Sequence, residues 1–486
     1  MLSRCYNSYP NSYFLCTCSR QQIRNLFAFC LPNGTILALR ALVGSPVSPA
    51  GLEWRCPQRR VILVKNAHVV AILTVVALLL SGSAFPQTVF KAVTVPGSSP
   101  NSLIALNDSS QVVVNTGNSG SYQVSVWSRT GGSQSLGLSG TSGGAAINSS
   151  GDVVGAGDNQ SYLQAFLWQP TNGVHWLGSL GGNLSAANGI NNAGNAVGLS
   201  YTAANTQHAF LWTPAGGMTD LTPDLTSIGG ATAVAINSSD QVAGYYYPNG
   251  SSNTLGFLWT QAGGLQNLGP VGTLAFAVND SGTVVGRSPI ASGYLHAFSW
   301  TPAGGMQDLS TLGGVASSAL SINRQGWIVG TSLTSSGDGL PHGFLWTPSA
   351  GMQDLAVLAG SVANNPTYSV QVNDFGVVAI STNRGGYLLV PKMTATLTSS
   401  VNPSKLGQPV TFTATVTSIA GPPPDGEMVQ FVVSSKVLGS AALKGGVAQF
   451  TTAAISKGSH AVVAKYNGDA NYLAAKYTAL TQVVNP

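Results

Sequence analysis

Three histidines recur at one position of an internal repeat, and they are the first candidates for chemistry in this chain. His208, His296 and His342 each open a His-x-Phe-x-Trp motif, and imidazole is a common metal ligand. Equivalent positions of a closed ring of repeats lie apart. We therefore predict no metal site and expect each histidine to bond within its own unit, to the Asp of a Met-x-Asp-Leu motif.

Carboxylates are the second candidates, because glycoside cleavage needs two of them beside one bond. Glu53 and Glu427 are the only glutamates, and neither lies in the repeats. Most aspartates of the repeats occupy recurring turn or strand-end positions (Asp108, Asp280, Asp374; Asp220, Asp308, Asp354). We predict no catalytic residue, no cofactor and no enzyme. The alternative, a polysaccharide hydrolase or lyase, would use a non-repeat aspartate such as Asp158 or Asp338.

Tyrosines form the third candidate group and the one that we select as a binding site. They cluster in the connection that precedes the His-Ala-Phe strand, where Ser, Asn and Gly accompany them. Tyrosine among such residues is typical of polar recognition surfaces. The predicted ligand-binding residues are Tyr122, Tyr162, Tyr201, Tyr245, Tyr246, Tyr247 and Tyr294. The alternative is that these rings flank strands and pack over their neighbours.

The elements that must position these residues follow from a repeat marked by asparagine. Asn107, Asn148, Asn191, Asn237, Asn279, Asn323 and Asn373 are separated by 41, 43, 46, 42, 44 and 50 residues. Such a period is typical of propellers or repeat arrays. Each unit has four short strand patterns and no helical periodicity. The pattern predicts a seven-bladed β-propeller, in which the strand near Val89 to Val93 completes the last unit and closes the ring.

Turn and core residues repeat with the asparagine. Five of the turns place Gly three positions after Asn, as a hairpin with a left-handed residue requires, whereas Ser110 and Asp240 replace it in the other two. Six tryptophans share one position, which Leu389 takes in the last unit, and we predict that they are core anchors: Trp127, Trp168, Trp212, Trp259, Trp300 and Trp346.

The composition changes after Pro391, where lysine becomes regular and the repeat ends. Residues 393–486 contain six alternating strand patterns separated by Pro- and Gly-rich turns, and a segment of this length predicts an Ig-like β-sandwich. The predicted strands are Thr394 to Val401, Val410 to Thr417, Met428 to Val433, Val447 to Thr452, His460 to Tyr466 and Thr478 to Val484.

Two resemblances accompany these patterns. The His-Ala-Phe units, over roughly residues 88–391, resemble the HAF family of probable extracellular repeats, which implies a secreted or surface bacterial protein and supplies no catalytic residue. The C-terminal segment resembles bacterial Ig-like repeat domains through Gly407-Gln408-Pro409-Val410 and Tyr466-Asn467-Gly468-Asp469. That resemblance implies a spacer or adhesive module.

The N-terminal part carries an export signal inside the chain. Arg59, Arg60 and Lys65 precede an apolar run from Ala67 to Leu80 that is short for a membrane span, and small residues follow it up to Ala84. We predict a signal peptide near residues 59–84, with translation starting near Val64. An uncleaved anchor behind a cytoplasmic tail is the alternative.

Removing residues 1–84 changes the charge and the redox chemistry. The repeat region up to Pro391 has five Lys/Arg against eleven Asp, a net charge of −6, and the tail from Lys392 has seven Lys against three acidic residues, or +4. This distribution argues against nucleic acid as a partner. All five cysteines precede residue 84, so the mature chain has no disulfide.

The predicted domains are 1–84 (upstream segment and signal), 85–392 (propeller) and 393–486 (Ig-like domain). We predict an exported, non-catalytic protein at or outside the cell surface, with no membrane span in the mature chain, that binds a glycan or a cell-surface protein. A structural envelope component is the further alternative.

Overall fold

The computed structural model describes residues 88–486, apart from 101, 119–120, 139, 141, 161, 224–227, 338, 361–362, 364–365 and 477–478, together with four short upstream strands. The chain divides into residues 1–85 and 86–486. In the first unit, β1 (Phe14–Cys16), β2 (Leu26–Cys30), β3 (Ile36–Arg40) and β4 (Val61–Ile62) form one sheet in that order. The predicted apolar signal segment, Ala67 to Leu80, lies outside the described residues.

The repeat region consists of seven four-stranded antiparallel sheets. The first is β6 (Leu103–Leu106), β7 (Val112–Asn118), β8 (Ser121–Ser128) and β9 (Gly132–Ser135); the second is β10 (Gly143–Ile147), β11 (Val153–Asp158), β12 (Leu163–Gln169) and β13 (Gly173–Gly178); the third is β14 (Gly181–Ile190), β15 (Ala196–Thr202), β16 (Gln207–Thr213) and β17 (Gly217–Asp220); the fourth is β18 (Ile228–Ile236), β19 (Val242–Pro248), β20 (Leu255–Thr260) and β21 (Gly264–Asn267). The fifth is β22 (Leu274–Val278), β23 (Val284–Pro289), β24 (Leu295–Thr301) and β25 (Gly305–Asp308); the sixth is β26 (Gly313–Ile322), β27 (Ile328–Thr334), β28 (His342–Thr347) and β29 (Gly351–Asp354); the seventh is β30 (Thr367–Val372), β31 (Val378–Thr382), β32 (Gly385–Pro391) and β5 (Phe90–Thr94).

The seventh sheet confirms the predicted use of the N-terminal strand. β5 precedes the first sheet in sequence but pairs with β32, with Phe90 opposite Pro391 and Thr94 opposite Tyr387. The prediction was one residue early at its start, since the strand begins at Phe90 and not at Val89.

Hydrophobic packing lies between neighbouring sheets. Successive residues of a strand point to opposite faces, so the Val-Val pairs divide between two neighbours. Val153 packs toward the first sheet with Phe166 and Trp168, whereas Val154 packs toward the third with Leu167. Seven such clusters join each sheet to the next and the seventh to the first. Trp127, Trp168, Trp212 and Trp300 are buried core residues, as predicted, whereas Trp259 and Trp346 are only partly buried against their clusters. Phe166 and its equivalents Phe210, Phe257, Phe298 and Phe344 are buried more completely than the tryptophans.

The glycine of each Val-Val-Gly strand is required by a bulge in the strand beside it. Gly155 pairs with Gly144, where the register of β10 shifts before Ala146. A Cβ on Gly155 would lie 2.0 Å from the carbonyl oxygen of Gly143. The second to sixth sheets share this arrangement, at Gly155, Gly198, Gly244, Gly286 and Gly330.

The repeat asparagines link the sheets in a closed cycle of hydrogen bonds. The Nδ2 of each donates to the main-chain carbonyl of the next at 2.8–3.3 Å, and Asn373 donates to the carbonyl of Asn107. The Oδ1 of each accepts from the main-chain N–H four residues on. The turn residues have positive φ as predicted, including Ser110 (52°) and Asp240 (56°).

One connection contradicts the expectation that the repeats contain strands alone. Between the sixth and seventh sheets lies α1 (Leu355–Ala359), a five-residue helix whose N-cap is Asp354, the acceptor of a hydrogen bond from the N–H of Ala356. The spacing from Asn323 to Asn373 is the longest of the series, and the extra residues between these sheets accommodate the helix. Its Leu355 and Leu358 are buried in the cluster between the two sheets.

The C-terminal segment is a two-sheet sandwich. Its strands are β33 (Thr394–Ser399), β34 (Ser404–Lys405), β35 (Val410–Thr417), β36 (Met428–Val433), β37 (Lys436–Ala442), β38 (Val447–Thr452), β39 (Gly458–Tyr466), β40 (Ala475–Lys476) and β41 (Leu480–Asn485). One sheet has the order β33-β35-β38 and the other β34-β41-β39-β36-β37, with β40 beside β39. The six predicted strands are present, although several ends shift, and β34, β37 and β40 were missed.

The described chain from residue 88 is therefore all-β apart from short helical turns, with a propeller-like region followed by a two-sheet β-sandwich. None of the helices in the described residues has the length and apolarity needed to cross a bilayer.

Candidate functional site

The antiparallel strands give the ring of sheets two different ends. The turn between the first and second strands carries the repeat asparagine, and the turn between the third and fourth strands lies at the same end, which we call the Asn end. Connections between the second and third strands lie at the opposite end, which we call the loop end. The predicted tyrosines belong to these connections and to the strand residues beside them.

Two of the predicted tyrosines are well exposed at the loop end. Tyr162 is 49% exposed and Tyr294 is 52% exposed. Each immediately precedes the third strand of its sheet, and its main-chain carbonyl accepts a hydrogen bond that closes the connection, from Asn159 and Ile290 respectively. The hairpin therefore fixes the position of both backbones. Tyr122 lies in β8, but its side chain is outside the described residues.

The Tyr245-Tyr246-Tyr247 run divides between the two faces of β19. The rings of Tyr245 and Tyr247 meet edge to face with centroids 6.1 Å apart, and both are half-buried. Tyr246 points the other way into the cluster between the third and fourth sheets, and its hydroxyl donates to Asn267 Oδ1 at 3.0 Å. Its ring is therefore a core element. The hydroxyl of half-buried Tyr201 lies 3.5 Å from Gln207 Oε1.

These tyrosines come from successive sheets, the second to the fifth. The contact between Tyr245 and Tyr247 is the one ring-to-ring contact that the described part of the chain shows among them. The structure thus gives an arc of tyrosines along the loop end rather than a single aromatic pocket. We call Tyr162, Tyr201, Tyr245, Tyr247 and Tyr294 the tyrosine arc.

The Asn end has a central cavity of about 200 Å³, lined by each repeat asparagine and the residues on either side of it. The amides and carbonyls of the asparagines are already used in the cycle of hydrogen bonds. Around the cavity mouth, the residues that directly follow the repeat asparagines are also linked. In four cases the side chain of this residue accepts a hydrogen bond from the main-chain N–H of the equivalent residue in the preceding sheet: Asn192 from Ser149, Asp280 from Ser238, Asp374 from Arg324 and Asp108 from Asp374. These polar groups therefore bond neighbouring sheets to one another.

Charge at the mouth is concentrated beside the junction of the seventh and first sheets. Arg324 Nη2 lies 2.7 Å from Asp374 Oδ2, and this pairing raises the pKa of Arg324. Burial raises the pKa of Asp108, with a further contribution from the charge of Asp374. Arg324 neutralises part of the charge of the two carboxylates. The Arg324–Asp374 pair was missed in the sequence analysis because its members are fifty residues apart.

The histidines confirm the prediction of bonding within each unit. His208 Nδ1 lies 2.7 Å from Asp220, His342 Nδ1 lies 2.8 Å from Asp354, and the His296–Asp308 pair is more exposed at 3.0 Å. Each pair ties the third strand of a sheet to the end of the fourth. In the described residues no group of three or more His, Cys, Asp or Glu side chains lies close enough together to hold a metal ion.

Of the two aspartates named for the enzyme alternative, the structure describes Asp158 alone. Asp158 ends β11, and its Oδ1 accepts from the N–H of Gln160, which makes it a turn-stabilising residue. Asp338 lies outside the described residues.

Comparison with known proteins identifies the C-terminal part. Residues 397–485 match the family model of the bacterial Ig-like domain (group 3). The match covers that segment only, so the resemblance of the repeats to the HAF family stays a prediction. No curated protein matches this chain.

Solved structures similar to the chain have low sequence identity. A streptogramin B lyase is 13% identical with a TM-score of 0.41, over 64% of this chain and 100% of its own. A puromycin hydrolase is 14% identical with a TM-score of 0.44, over 61% and 52%. A gluconolactonase from Xanthomonas campestris is 12% identical with a TM-score of 0.34, over 64% and 92%. At these values the likenesses support no statement about activity.

Proposed function

We propose that the repeat region is a seven-bladed, HAF-type β-propeller in an exported, non-catalytic binding protein, and that the tyrosine arc at its loop end recognises a glycan or a cell-surface protein. The observation that carries the proposal is the exposure of Tyr162 and Tyr294 on hairpins that fix their backbones. Large amphipathic rings on a rigid scaffold lose little conformational entropy on binding.

The chemistry of the two ends supports this choice. At the Asn end, amides and carboxylates are bonded to each other and to the main chain. At the loop end, exposed aromatic rings accompany polar connections such as Asp158 to Gln160 and Asn249 to Asn253. Sugar faces and extended peptides both pack on tyrosine rings and bond to such polar groups.

The test compares two substitutions of exposed tyrosines on the full chain. The double variant Tyr162→Ala/Tyr294→Ala removes the most exposed rings of the arc, and Tyr368→Ala removes a 44% exposed tyrosine of the seventh sheet, outside the arc. Both proteins are applied to a glycan array and to intact bacterial cells. We expect the double variant to lose about tenfold or more in affinity, as for removal of aromatic contacts at an interface, and Tyr368→Ala to bind as wild type.

Other results separate the alternatives. Equal binding by both variants contradicts the tyrosine arc as the site. Wild-type protein that binds neither the array nor cells points to the structural envelope component. Turnover of a polysaccharide by wild type contradicts the non-catalytic assignment. Tyr246→Ala is unsuitable as a probe because it empties a core position.

Export is proposed from the sequence near residues 59–84. Mass spectrometry of the N-terminus of the protein recovered outside the cell is expected to show a chain that begins just after Ala84. Recovery of the protein only in the cytoplasm, or with residues 1–58 attached, contradicts this proposal.

A further inference from the structure

We propose that the loop 467–474 of the Ig-like domain is a clamp that holds the ring of sheets closed at its seam. The seam comprises the pairing of β5 with β32 inside the seventh sheet and the packing of that sheet against the first. In the other six sheets, turns join the successive strands, whereas β5 and β32 are held together by pairing over five residues without a connecting turn. Separation of β5 from β32 would open the ring at this point.

Asn471 enters the asparagine cycle at that seam. Its Oδ1 accepts from Ser110 Oγ at 2.6 Å and from Asn373 Nδ2 at 3.0 Å. Its Nδ2 donates to the carbonyl of Asp108 at 2.7 Å. Asn471 is 6% exposed, so one buried amide from the Ig-like domain joins the first sheet to the seventh.

The seventh turn lacks an acceptor that three of the other turns supply for themselves. The second N–H of the repeat asparagine bonds to the residue four positions on in three turns, where that residue is Gln111, Asp152 or Gln241. In the seventh turn the equivalent residue is Val377, which is fully buried and has no side-chain acceptor. Asn471 Oδ1 takes that place for Asn373.

Three more departures from the repeat contact the same loop. Ser110 replaces the turn glycine, keeps a positive φ of 52° and donates to Asn471. Arg129 occupies a position that is proline in five other units (Pro170, Pro214, Pro302, Pro348 and Pro391). Its Nη2 donates to the main-chain carbonyls of Asp469 and Tyr472, the latter at 2.9 Å.

Phe375 is the third of these departures. It follows Asn373 by two residues, a position that holds Ser, Ala or Gln in the other turns. Its ring meets that of Tyr472 edge to face at 6.1 Å and packs against the core of the Ig-like domain. Leu473 in turn packs against the cluster between the seventh and first sheets. The loop therefore spans the seam with apolar as well as polar contacts.

Hydrogen–deuterium exchange of the full chain tests the clamp. Asn471→Ala is compared with Asn467→Ala, which changes an exposed asparagine of the same loop. We expect Asn471→Ala to speed exchange in β5 and β32 by about tenfold or more, because buried groups on both sides of the seam lose their partners. Exchange in β19, in the fourth sheet, is expected to stay unchanged, and Asn467→Ala is expected to behave as wild type.

Ser110→Gly separates a clamp from ordinary turn stability. Glycine relieves the positive φ of the turn, so a serine without a role at the seam predicts equal or slower exchange. The clamp predicts faster exchange in β5 and β32, with no further increase when Asn471→Ala is added. Unchanged exchange at the seam in Asn471→Ala, with the Ig-like strand β39 still protected, would overturn the proposal. If Asn471→Ala does not fold, Ser110→Gly alone tests the clamp. Slower or unchanged exchange in β5 and β32 of that variant then overturns the proposal.

Discussion

Replacing Gly155 by alanine tests whether the Val-Val-Gly motif reflects steric need. The new Cβ would lie 2.0 Å from the carbonyl oxygen of Gly143 and 2.9 Å from both Gly144 Cα and Phe166 Cζ. Two of these atoms belong to main chain, so no rotamer change relieves the overlap and the strands must separate. Overpacking of this kind costs about 1–3 kcal/mol, and the loss of a ladder hydrogen bond adds about 1 kcal/mol. We expect a loss of about 2–4 kcal/mol in the free energy of unfolding.

Gly143→Ala is the matched control in the same sheet. Its Cβ would meet nothing closer than Asn115 Nδ2 at 3.5 Å, which is ordinary contact, and its φ is not in the left-handed region. Both variants change the unfolded chain equally, so their difference reports the folded state. Urea unfolding is followed by tryptophan fluorescence, with a fit that allows for intermediates. Substitutions without a structural effect usually change the free energy of unfolding by up to about 0.5 kcal/mol. If the free energies of unfolding of the two variants differ by less than this, the steric explanation is refuted.

Three further predictions follow from buried polar groups. Asn237→Ala removes hydrogen bonds to Asn279, Gln241 and the turn and should lower the free energy of unfolding by about 2–4 kcal/mol, whereas exposed Ser238→Ala should change it by less than about 0.5 kcal/mol. His208→Ala should cost more than His296→Ala, since the side chain of His208 is 4% exposed and that of His296 16%, and EDTA should leave both unfolding midpoints unchanged. Burial, with Asp469 adding to it, raises the pKa of Glu427. The folded state then holds more protons than the unfolded state between the usual and the raised pKa, so stability should fall as pH rises through that window. Glu427→Gln should flatten this slope, and an unchanged slope would contradict the assignment.

Local chemistry made much of this fold predictable. Strand alternation, the glycine three residues after five of the seven asparagines and the spare strand before the first unit each have a direct physical meaning. The structure confirms them in the turn angles and in the pairing of β5 with β32. The same alternation could have shown that Tyr246 faces away from Tyr245 and Tyr247. The sequence reading treated the three as one surface because it grouped them by type.

Long-range contacts account for what was missed. The cycle of asparagine side chains joins residues at least 41 positions apart, and the amide of Asn471 bonds to the carbonyl of Asp108 across 363 positions. The sequence identifies the asparagines as turn residues, a role that depends only on the local backbone. Their hydrogen bonds to the next sheet depend on residues far away in sequence, so no local pattern reveals them. Strand β37, with Gly439 and two alanines, lacks the β-branched alternation that marks strands, and it forms because β36 offers it an edge.

Departures from the repeat say more about this protein than the repeat itself. Residues that recur in equivalent places, such as the asparagines, the glycines of the bulges and the His–Asp pairs, all bond within the ring. Ser110, Arg129, Phe375 and Val377 surround the loop of the Ig-like domain at the seam, while the tyrosine arc lies at the opposite end of the sheets. If the Ig-like domain occupies the Asn end, a partner that approaches the ring meets the loop end, and substitutions in the tyrosine arc should then alter binding while leaving exchange at the seam unchanged.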